Sequence, residues 1–333
     1  MSAASSGQQY TIGVDLGGTN LRVAAVDLAG AIQERISLDT DVKEGRLRVV
    51  ADMCDAVGEI QQRLPGGRLS GIGIGVPGII NLANGTVRQS PNLPGWSDFP
   101  VRDDIEQRLQ THVVLENDAN AAALGESWVG AGRDHPGLCM ITLGTGIGGG
   151  LILDGRIWHG REGMAGELGH MTIDPNGALC GCGNLGCVEA YASASAISRM
   201  AMAAVRVGRS PELARDVEQV GELTAEIVYI KAKQGDLVAR EIFDMVGRSL
   251  GVAIANLINI FNLPLYVVGG GVAHGWDAFA PSLIAEVGKR SLVARSAHPS
   301  IVPSALGADA GLIGAAHLPH IAAQGDHAAC RQL

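Results

Sequence analysis

The stretch at residues 166–189, GELGHMTIDPNGALCGCGNLGCVE, constrains the fold most strongly, because it places three of the chain's six cysteines within eight residues. With a histidine upstream they form an H-x9-C-x-C-x4-C array of His170, Cys180, Cys182 and Cys187. Three thiolates and one imidazole are a ligand set typical of tetrahedral zinc, and a closed four-ligand shell leaves no position for an activated water. The array therefore predicts one structural Zn²⁺. A disulfide with a spare thiol, or a redox C-x-C pair, is the alternative.

Two glutamates bracket this array. Glu167 precedes the histidine and Glu189 follows the third cysteine, so folding the segment around an ion would draw the two carboxylates towards one another. A pair of carboxylates beside a pocket can accept hydrogen bonds from the vicinal hydroxyls of a sugar. Alternatively, each glutamate is an ordinary solvated charge.

The length and composition limit the class of protein. A chain of 333 residues is long enough for two lobes. Its apolar fraction of 47% and its 47 glycines favour a compact fold with many tight turns. The net charge of −9, without a basic run, argues against a nucleic-acid partner. The amino-terminal residues show no secretion signal, and the apolar segment 251–268 contains asparagines and a proline, so we expect a cytoplasmic protein with no membrane partner.

A glycine-rich hairpin occurs twice along the chain. Residues 10–16 form an apolar run followed by Gly17, Gly18 and Thr19, and residues 138–159 repeat the pattern around Gly144, Thr145 and Gly146. Such loops turn backbone N–H groups towards phosphates without a Cβ in the way. The repeat predicts an internal duplication with two phosphate-facing hairpins. Two unrelated ordinary hairpins are the alternative.

Three further positions have both a structural and a functional interpretation. Asp118 lies where the strand THVVLEND meets an alanine-rich helix, so it either caps that helix or faces a ligand at the strand end. Asn92 lies in a turn cluster and is either a turn former or an amide presented to a ligand. The glycines at 269–271 follow a buried strand and form either a plain turn or a surface for an adenine base.

Taken together, these motifs resemble the ROK family of the actin/hexokinase superfamily, and within it the ATP-dependent bacterial glucokinases. DLGGTNLR at 15–22 and LGTGIGGG at 143–150 are similar to the two phosphate motifs, and GGGVA at 269–273 is similar to the adenosine motif. ENDANAAALGE at 116–126 resembles the catalytic segment, and GELGHM with CGCGNLGCVE resembles the sugar and zinc signature.

The resemblance implies an α/β fold, a two-lobed actin-like ATPase built from duplicated ribonuclease H-like domains with a zinc-binding knuckle. The small lobe would comprise residues 1–119 with 305–333. The large lobe, residues 120–304, would carry the zinc insertion and oligomerisation helices, since relatives are commonly homodimers.

The resemblance also implies roles for individual residues. Asp118 would be the base that takes the proton from the sugar 6-hydroxyl. The residues implied to contact the sugar are Gly78, Asn92, Asn117, Glu167, His170 and Glu189. Asp15 would orient Mg²⁺. The other residues implied to bind ATP are Gly17, Gly18, Thr19, Asn20, Arg22, Gly144, Thr145, Gly146, Gly269, Gly270 and Gly271.

The implied reaction is transfer of the ATP γ-phosphate to the 6-hydroxyl of D-glucose. An N-acetylmannosamine or N-acetylglucosamine kinase is the alternative enzyme, and polyphosphate is an alternative donor. A sugar-responsive repressor of the family is a more remote alternative. Repressors carry an additional DNA-binding domain of roughly 70 residues ahead of the sugar-binding lobe, whereas nine residues precede the first predicted strand here. We therefore expect an enzyme.

Overall fold

The computed structural model describes residues 9–90 and 92–323. The chain divides into two compact units. Unit 1 comprises the described parts of residues 1–136, 150–166 and 309–333, and unit 2 comprises residues 137–149 and 167–308. The lobes expected at 1–119 with 305–333 and at 120–304 stay a prediction.

The strands, numbered along the chain, are β1 Gln9–Leu16, β2 Asn20–Asp27, β3 Ile32–Asp39, β4 Arg68–Val76, β5 Ile79–Asn81, β6 Thr86–Gln89, β7 Val113–Asn117, β8 Leu138–Leu143, β9 Ile147–Leu153, β10 Arg156–Ile157, β11 Leu265–Gly269 and β12 Ser300–Pro303. The helices are α1 Arg46–Arg63, α2 Val101–Leu109, α3 Asp118–Val129, α4 Glu189–Ala192, α5 Ala194–Arg206, α6 Pro211–Val220, α7 Ala225–Gln234, α8 Leu237–Phe261, α9 Trp276–Arg290, α10 Ala294–Ala297 and α11 Ala310–Ala323.

Two five-stranded sheets have the same strand order. The first runs β3-β2-β1-β4-β7 and the second runs β10-β9-β8-β11-β12. In the first sheet β1, β2 and β3 are antiparallel neighbours, whereas β4 lies parallel to β1 and β7 lies parallel to β4. In the second sheet β11 lies parallel to both β8 and β12. The repeated order confirms the internal duplication and the mixed α/β fold class.

Helix α1 covers one face of the first sheet. Its buried side chains recur at helical spacing and include Val50, Met53, Val57 and Ile60. They join the strand residues in one apolar core. Burying a side chain of this size contributes about 1.5–3 kcal/mol, so the apolar stripe rather than helix propensity stabilises α1.

Helices α3 and α11 pack closely in unit 1 because small residues face each other. A Cβ added at Gly314 would lie 1.7 Å from the carbonyl oxygen of Ala121. One added at Gly73 of β4 would lie 1.8 Å from the carbonyl oxygen of Ala315. Only glycine allows these approaches. The contact fixes α3, and with it the polar residues at its amino terminus.

Helix α8 is the longest helix in unit 2. The side chain of Asp236 accepts the N–H of Ala239 and caps its first turn. Gly247 and Gly251 bring it close to α9, because a Cβ at Gly247 would lie 2.2 Å from the carbonyl oxygen of Phe279. Within the described ranges, no helix combines the length and the apolar character needed to cross a bilayer.

Candidate active site

The junction between β7 and α3 carries the first group of predicted residues. Asn117 is the N-cap of α3, and its side-chain oxygen accepts the N–H groups of Ala119 and Asn120 at 2.9 and 3.2 Å. Asp118 is the first helical residue, and its Oδ1 accepts the N–H of Ala119 at 2.9 Å. The side chain of Asn117 thus accepts hydrogen bonds from the first N–H groups of α3, so the partly exposed carboxylate of Asp118 is not the only acceptor at this helix end.

Gly78 and Asn92, two of the residues predicted to contact a sugar, lie close to other predicted site residues of unit 1. Asn117 donates from Nδ2 to the carbonyl oxygen of Gly78 at 3.2 Å. Gly78 has a φ of +112° and no space for a Cβ, which would lie 2.3 Å from the carbonyl oxygen of Gln89. The carbonyl oxygen of Asn92 would lie 3.0 Å from a Cβ at Gly18. The structure therefore brings Gly78 to Asn117, and Asn92 to the first glycine loop.

A buried acidic residue lies directly behind this junction. Glu116 accepts hydrogen bonds at Oε1 from the N–H of Asn117 and the side chain of Asn120, at 2.8 and 3.0 Å. Its Oε2 lies 2.6 Å from Nε2 of His159. Burial raises the pKa of Glu116, but the charge and hydrogen bond of His159, together with the hydrogen bonds from Asn120 and Asn117, outweigh burial and lower it. Burial likewise lowers the pKa of His159, but the carboxylate outweighs burial and raises it.

The first glycine hairpin places an acidic and a basic side chain opposite each other. Asp15 and Arg22 are register partners on β1 and β2, and their side chains form an ion pair. The N–H of Gly17 donates to the carbonyl oxygen of Asn20 at 2.8 Å and closes the loop. The side chains of Thr19 and Asn20 are exposed. The loop thus carries a paired carboxylate and guanidinium beside its glycine backbone at one end of the sheet.

In unit 2 the second glycine hairpin is fixed by the segment that follows the cysteines. Glu189 Oε2 accepts the N–H of Ile147 at 2.8 Å. A Cβ at Gly146 would lie 2.5 Å from the same oxygen, so glycine leaves room for the carboxylate. The carbonyl oxygens of Gly144 and Thr145 accept hydrogen bonds from the N–H of Ala194 and the hydroxyl of Ser195, at 2.9 and 2.7 Å.

The four residues of the cysteine and histidine array converge. Their candidate ligand atoms all lie within 4.8 Å of one another. Cys180 Sγ lies 3.7 Å from His170 Nδ1, and Cys182 Sγ lies 3.7 Å from Cys187 Sγ. Donors in a tetrahedral zinc shell lie about 3.3–3.8 Å apart, given Zn–N and Zn–S bonds of about 2.0–2.3 Å. The residues therefore fit a structural Zn²⁺, and the free thiols argue against the disulfide alternative.

The two ring nitrogens of His170 face different groups. Nδ1 faces the cysteine cluster, whereas Nε2 lies 3.9 Å from Oε2 of Glu167. Glu189 Oε1 lies 3.5 Å from Cys180 Sγ, so the second bracketing glutamate also borders the cluster. Glu167 and Glu189 therefore each contact a member of the array, His170 and Cys180 respectively.

The third glycine loop lies against the second hairpin. Gly270 has a φ of +83°, and a Cβ there would lie 2.5 Å from the carbonyl oxygen of Leu143, the residue before Gly144. Gly269 ends β11, whereas Gly271 has open space where a Cβ would be. The two loops of unit 2 are thus close neighbours, with the backbone at Gly270 against the backbone at Leu143.

Sequence reasoning missed three residues that organise the first group. Glu116 and Asn120 belong to the quoted segment ENDANAAALGE, and their position beside Asp118 was the available signal. His159 follows β10, 43 residues from its partner, and only the fold shows the pairing. The predicted residues themselves fall into one group in each unit.

Comparison with known proteins places the chain among sugar kinases and their relatives. The model of the ROK family matches residues 11–321. A glucokinase of Halalkalibacterium halodurans is 38% identical over 92% of this chain and 93% of its own length. The crystal structure of a ROK family glucokinase from Streptomyces griseus, in complex with glucose and AMPPNP, has a TM-score of 0.80 at 36% identity and covers 93% of this chain and 98% of its own. A xylose repressor of Caldicellulosiruptor bescii is 34% identical over 85% of this chain and 71% of its own length.

Proposed function

The chain belongs to the ROK family, and from this premise we propose that it is a glucokinase, which transfers the γ-phosphate of ATP to the 6-hydroxyl of D-glucose. The 38% identity to the H. halodurans glucokinase over 92% of the chain carries this proposal. The fold shared with the S. griseus glucokinase, solved with glucose and an ATP analogue, supports both substrates.

We assign the proton transfer to Asp118. Phosphoryl transfer requires alignment and charge neutralisation more than covalent participation by the protein. A single carboxylate that accepts the hydroxyl proton late in the reaction meets this requirement. Asp118 suits the role because its backbone is fixed by the cap at Asn117 while its side chain remains partly exposed.

Each unit carries residues that we propose as sugar contacts. In unit 1 the amides of Asn92 and Asn117 and the backbone of Gly78 offer donors and acceptors. In unit 2 the exposed carboxylate of Glu167 and the Nε2 atom of His170 lie 3.9 Å apart, a spacing suited to neighbouring hydroxyls. Glu189 is proposed to contact the sugar through an oxygen that also borders Cys180.

The nucleotide contacts are proposed on the glycine loops. Gly17, Gly18, Thr19 and Asn20 would hold phosphates on unit 1. Gly144, Thr145 and Gly146 would do so on unit 2, and Gly269, Gly270 and Gly271 would border the adenosine. Asp15 and Arg22 supply the charged groups of the first loop. Asp15 offers the hard oxygen ligand that Mg²⁺ prefers, and Mg²⁺ bound with ATP neutralises phosphate charge.

Zinc has a structural role in this proposal. His170, Cys180, Cys182 and Cys187 would hold the ion, and four protein ligands leave no site for water. The ion would keep the loop that carries Glu167 and the helix start at Glu189 in one arrangement, and it takes no part in the reaction.

A homodimer in the cytoplasm completes the proposal. All five described cysteines are free thiols, as is typical of a reducing compartment. Unit 2 exposes several large apolar side chains, which favour association with a second copy: Leu237, Ile260, Ile284 and Leu292. Light scattering coupled to gel filtration measures the oligomeric state directly.

A kinase assay over a sugar panel tests the function. The purified protein is incubated with Mg-ATP and, in turn, glucose, N-acetylmannosamine and N-acetylglucosamine, and sugar phosphate is measured. We expect the highest kcat/KM with glucose. Formation of sugar phosphate only from an N-acetylhexosamine would reassign the substrate, and absence of any sugar phosphate would refute the kinase assignment. Replacing ATP by polyphosphate defines the donor.

The similarity to the C. bescii xylose repressor raises DNA binding as a second candidate function. The net charge of −9 opposes it, since DNA binding relies on phosphate neutralisation by basic side chains. Fluorescence anisotropy with labelled duplex DNA at low salt would reveal such binding.

A further inference from the structure

The carboxylate of Glu116 accepts hydrogen bonds from residues that precede and follow Asp118 in the chain. Its side chain is 1% exposed. Oε1 accepts the backbone N–H of Asn117, the residue before Asp118, and the side-chain amide of Asn120, in the first turn after it. One buried group therefore holds the end of β7 and the start of α3 together.

His159 secures Glu116 from a different part of unit 1. It follows β10, and its Nε2 lies 2.6 Å from Glu116 Oε2, with a side chain 16% exposed. At this depth the pair is shielded from water, so it differs from surface ion pairs, which contribute little. The histidine fixes the rotamer of Glu116 and compensates its buried charge.

We propose that the Glu116–His159 pair positions Asp118 for proton transfer, a proposal that rests on the kinase function proposed above. Neither residue touches the reacting atoms. They act by fixing the strand end and the helix start between which Asp118 lies. Displacement of a catalytic group by about 1 Å can lower the rate about 100-fold, so a fixed junction has direct consequences for turnover.

The test compares kcat and KM for parent and variants at both positions in the zinc-loaded protein. Glu116→Ala removes every hydrogen bond to the junction, whereas Glu116→Gln retains an oxygen that can accept the N–H of Asn117. His159→Gln removes the charge partner. We expect kcat to fall about 10- to 100-fold in Glu116→Ala and His159→Gln, with the KM values for glucose and ATP within about threefold of parent. Glu116→Gln should recover part of the kcat lost in Glu116→Ala.

The same strand offers a matched control. His112 Nδ1 lies 3.2 Å from Glu106 Oε1, which also accepts the N–H of Val113 at 2.8 Å, at the opposite end of β7. The His112 side chain is 63% exposed. Glu106→Gln and His112→Gln should keep kcat within about twofold of parent, because a solvent-exposed pair far from the junction contributes little.

A variant that leaves one buried charge unpaired can fail to fold, so the double variant Glu116→Gln with His159→Gln, which buries no charge, is measured alongside. Circular dichroism identifies the folded variants. The proposal is overturned if the parent is active and Glu116→Ala has the same kcat as the parent. If Glu116→Ala does not fold, the double variant takes its place in this comparison. A rise in KM with an unchanged kcat would also overturn the proposal. If the parent itself phosphorylates no sugar, the proposed function fails instead.

Discussion

Glu189 accepts the backbone N–H of Ile147 at 2.8 Å, and this hydrogen bond ties the segment after the cysteine cluster to the second glycine hairpin. The other oxygen of the same carboxylate lies 3.5 Å from Cys180 Sγ. One side chain therefore borders the proposed zinc site and the proposed phosphate loop together. A disturbance on either side should reach the other through this residue.

Gly146→Ala tests that connection from the hairpin side. The new Cβ would lie 2.5 Å from Glu189 Oε2, and because that oxygen ends a flexible side chain, Glu189 should move away and lose the N–H of Ile147. A hydrogen bond to a charged group contributes about 1.5–3 kcal/mol, so we expect KM for ATP to rise about 10- to 100-fold in a protein that still folds. Gly288→Ala on α9, where a Cβ meets no atom within 4 Å, is the control. An unchanged KM for ATP would contradict the assigned role of the hairpin.

Cys182→Ser tests the metal site. Loss of one thiolate opens the four-ligand shell, so the zinc content after dialysis should fall from one ion per chain to nearly none, and activity should fall with it. Elemental analysis by plasma mass spectrometry measures the zinc. Cys54→Ser, on α1 and outside the cluster, should keep both. Full activity in a metal-free protein would disprove the structural role of zinc.

Asp118→Asn tests the base. The amide keeps an oxygen that can accept the N–H of Ala119, so the helix start should be preserved. Without a proton acceptor, kcat should fall by about 10²- to 10⁴-fold, whereas the Kd for glucose measured by calorimetry should change little. Asp103→Asn supplies the comparison, since this exposed acid occupies the first turn of α2. Parent-like turnover in Asp118→Asn would remove Asp118 from the mechanism.

The stability of unit 1 should depend on pH through His317. Its ring stacks on Trp128 at 4.1 Å between centroids, and Nδ1 has no hydrogen-bond partner among the described residues. Burial, together with the nearby charge of His320, lowers the pKa of His317 from 6.5 to about 4. The unfolded chain therefore binds a proton at this histidine more readily than the folded chain does. The free energy of unfolding should be unaffected by protonation of His317 above pH 6.5 and should fall by about 3 kcal/mol as the pH is lowered to about 4.

Urea unfolding of the parent and of His317→Phe between pH 7 and pH 4 measures this effect. Phenylalanine retains a ring that can stack but does not titrate, so the variant should lose less stability than the parent over this range. His112→Gln, at an exposed position, should follow the parent. Equal losses in the parent and His317→Phe would show that burial of His317 is not coupled to protonation.

The sequence predicted those features that depend on residue spacing within one short segment. The cysteine array and the two glycine hairpins were expected from the sequence, and the structure contains them. Each depends on spacing or apolar periodicity over a few turns. Helix α5 begins directly after α4, because Ser193 caps it by accepting the N–H of Ala196, and such a short-range signal is readable from the sequence.

The remaining features depend on tertiary contacts that no short window contains. Helices α2 and α6 bury only two and one residues respectively, so their apolar patterns are too weak to predict them. Strand β12 is four residues long and forms a sheet edge. The pairing of Glu116 with His159 joins residues 43 apart in the chain, a distance that only the folded topology closes.

The packing of α11 on β1 and β4 has a consequence for biosynthesis. The helix is formed by residues 310–323, whereas the sheet that it covers is formed by residues 9–117. Most of unit 2, residues 167–308, is synthesised between the two. In a nascent chain, this face of the amino-terminal sheet therefore stays uncovered until α11 leaves the ribosome. Newly made chains halted before residue 310 should consequently present an apolar surface to chaperones.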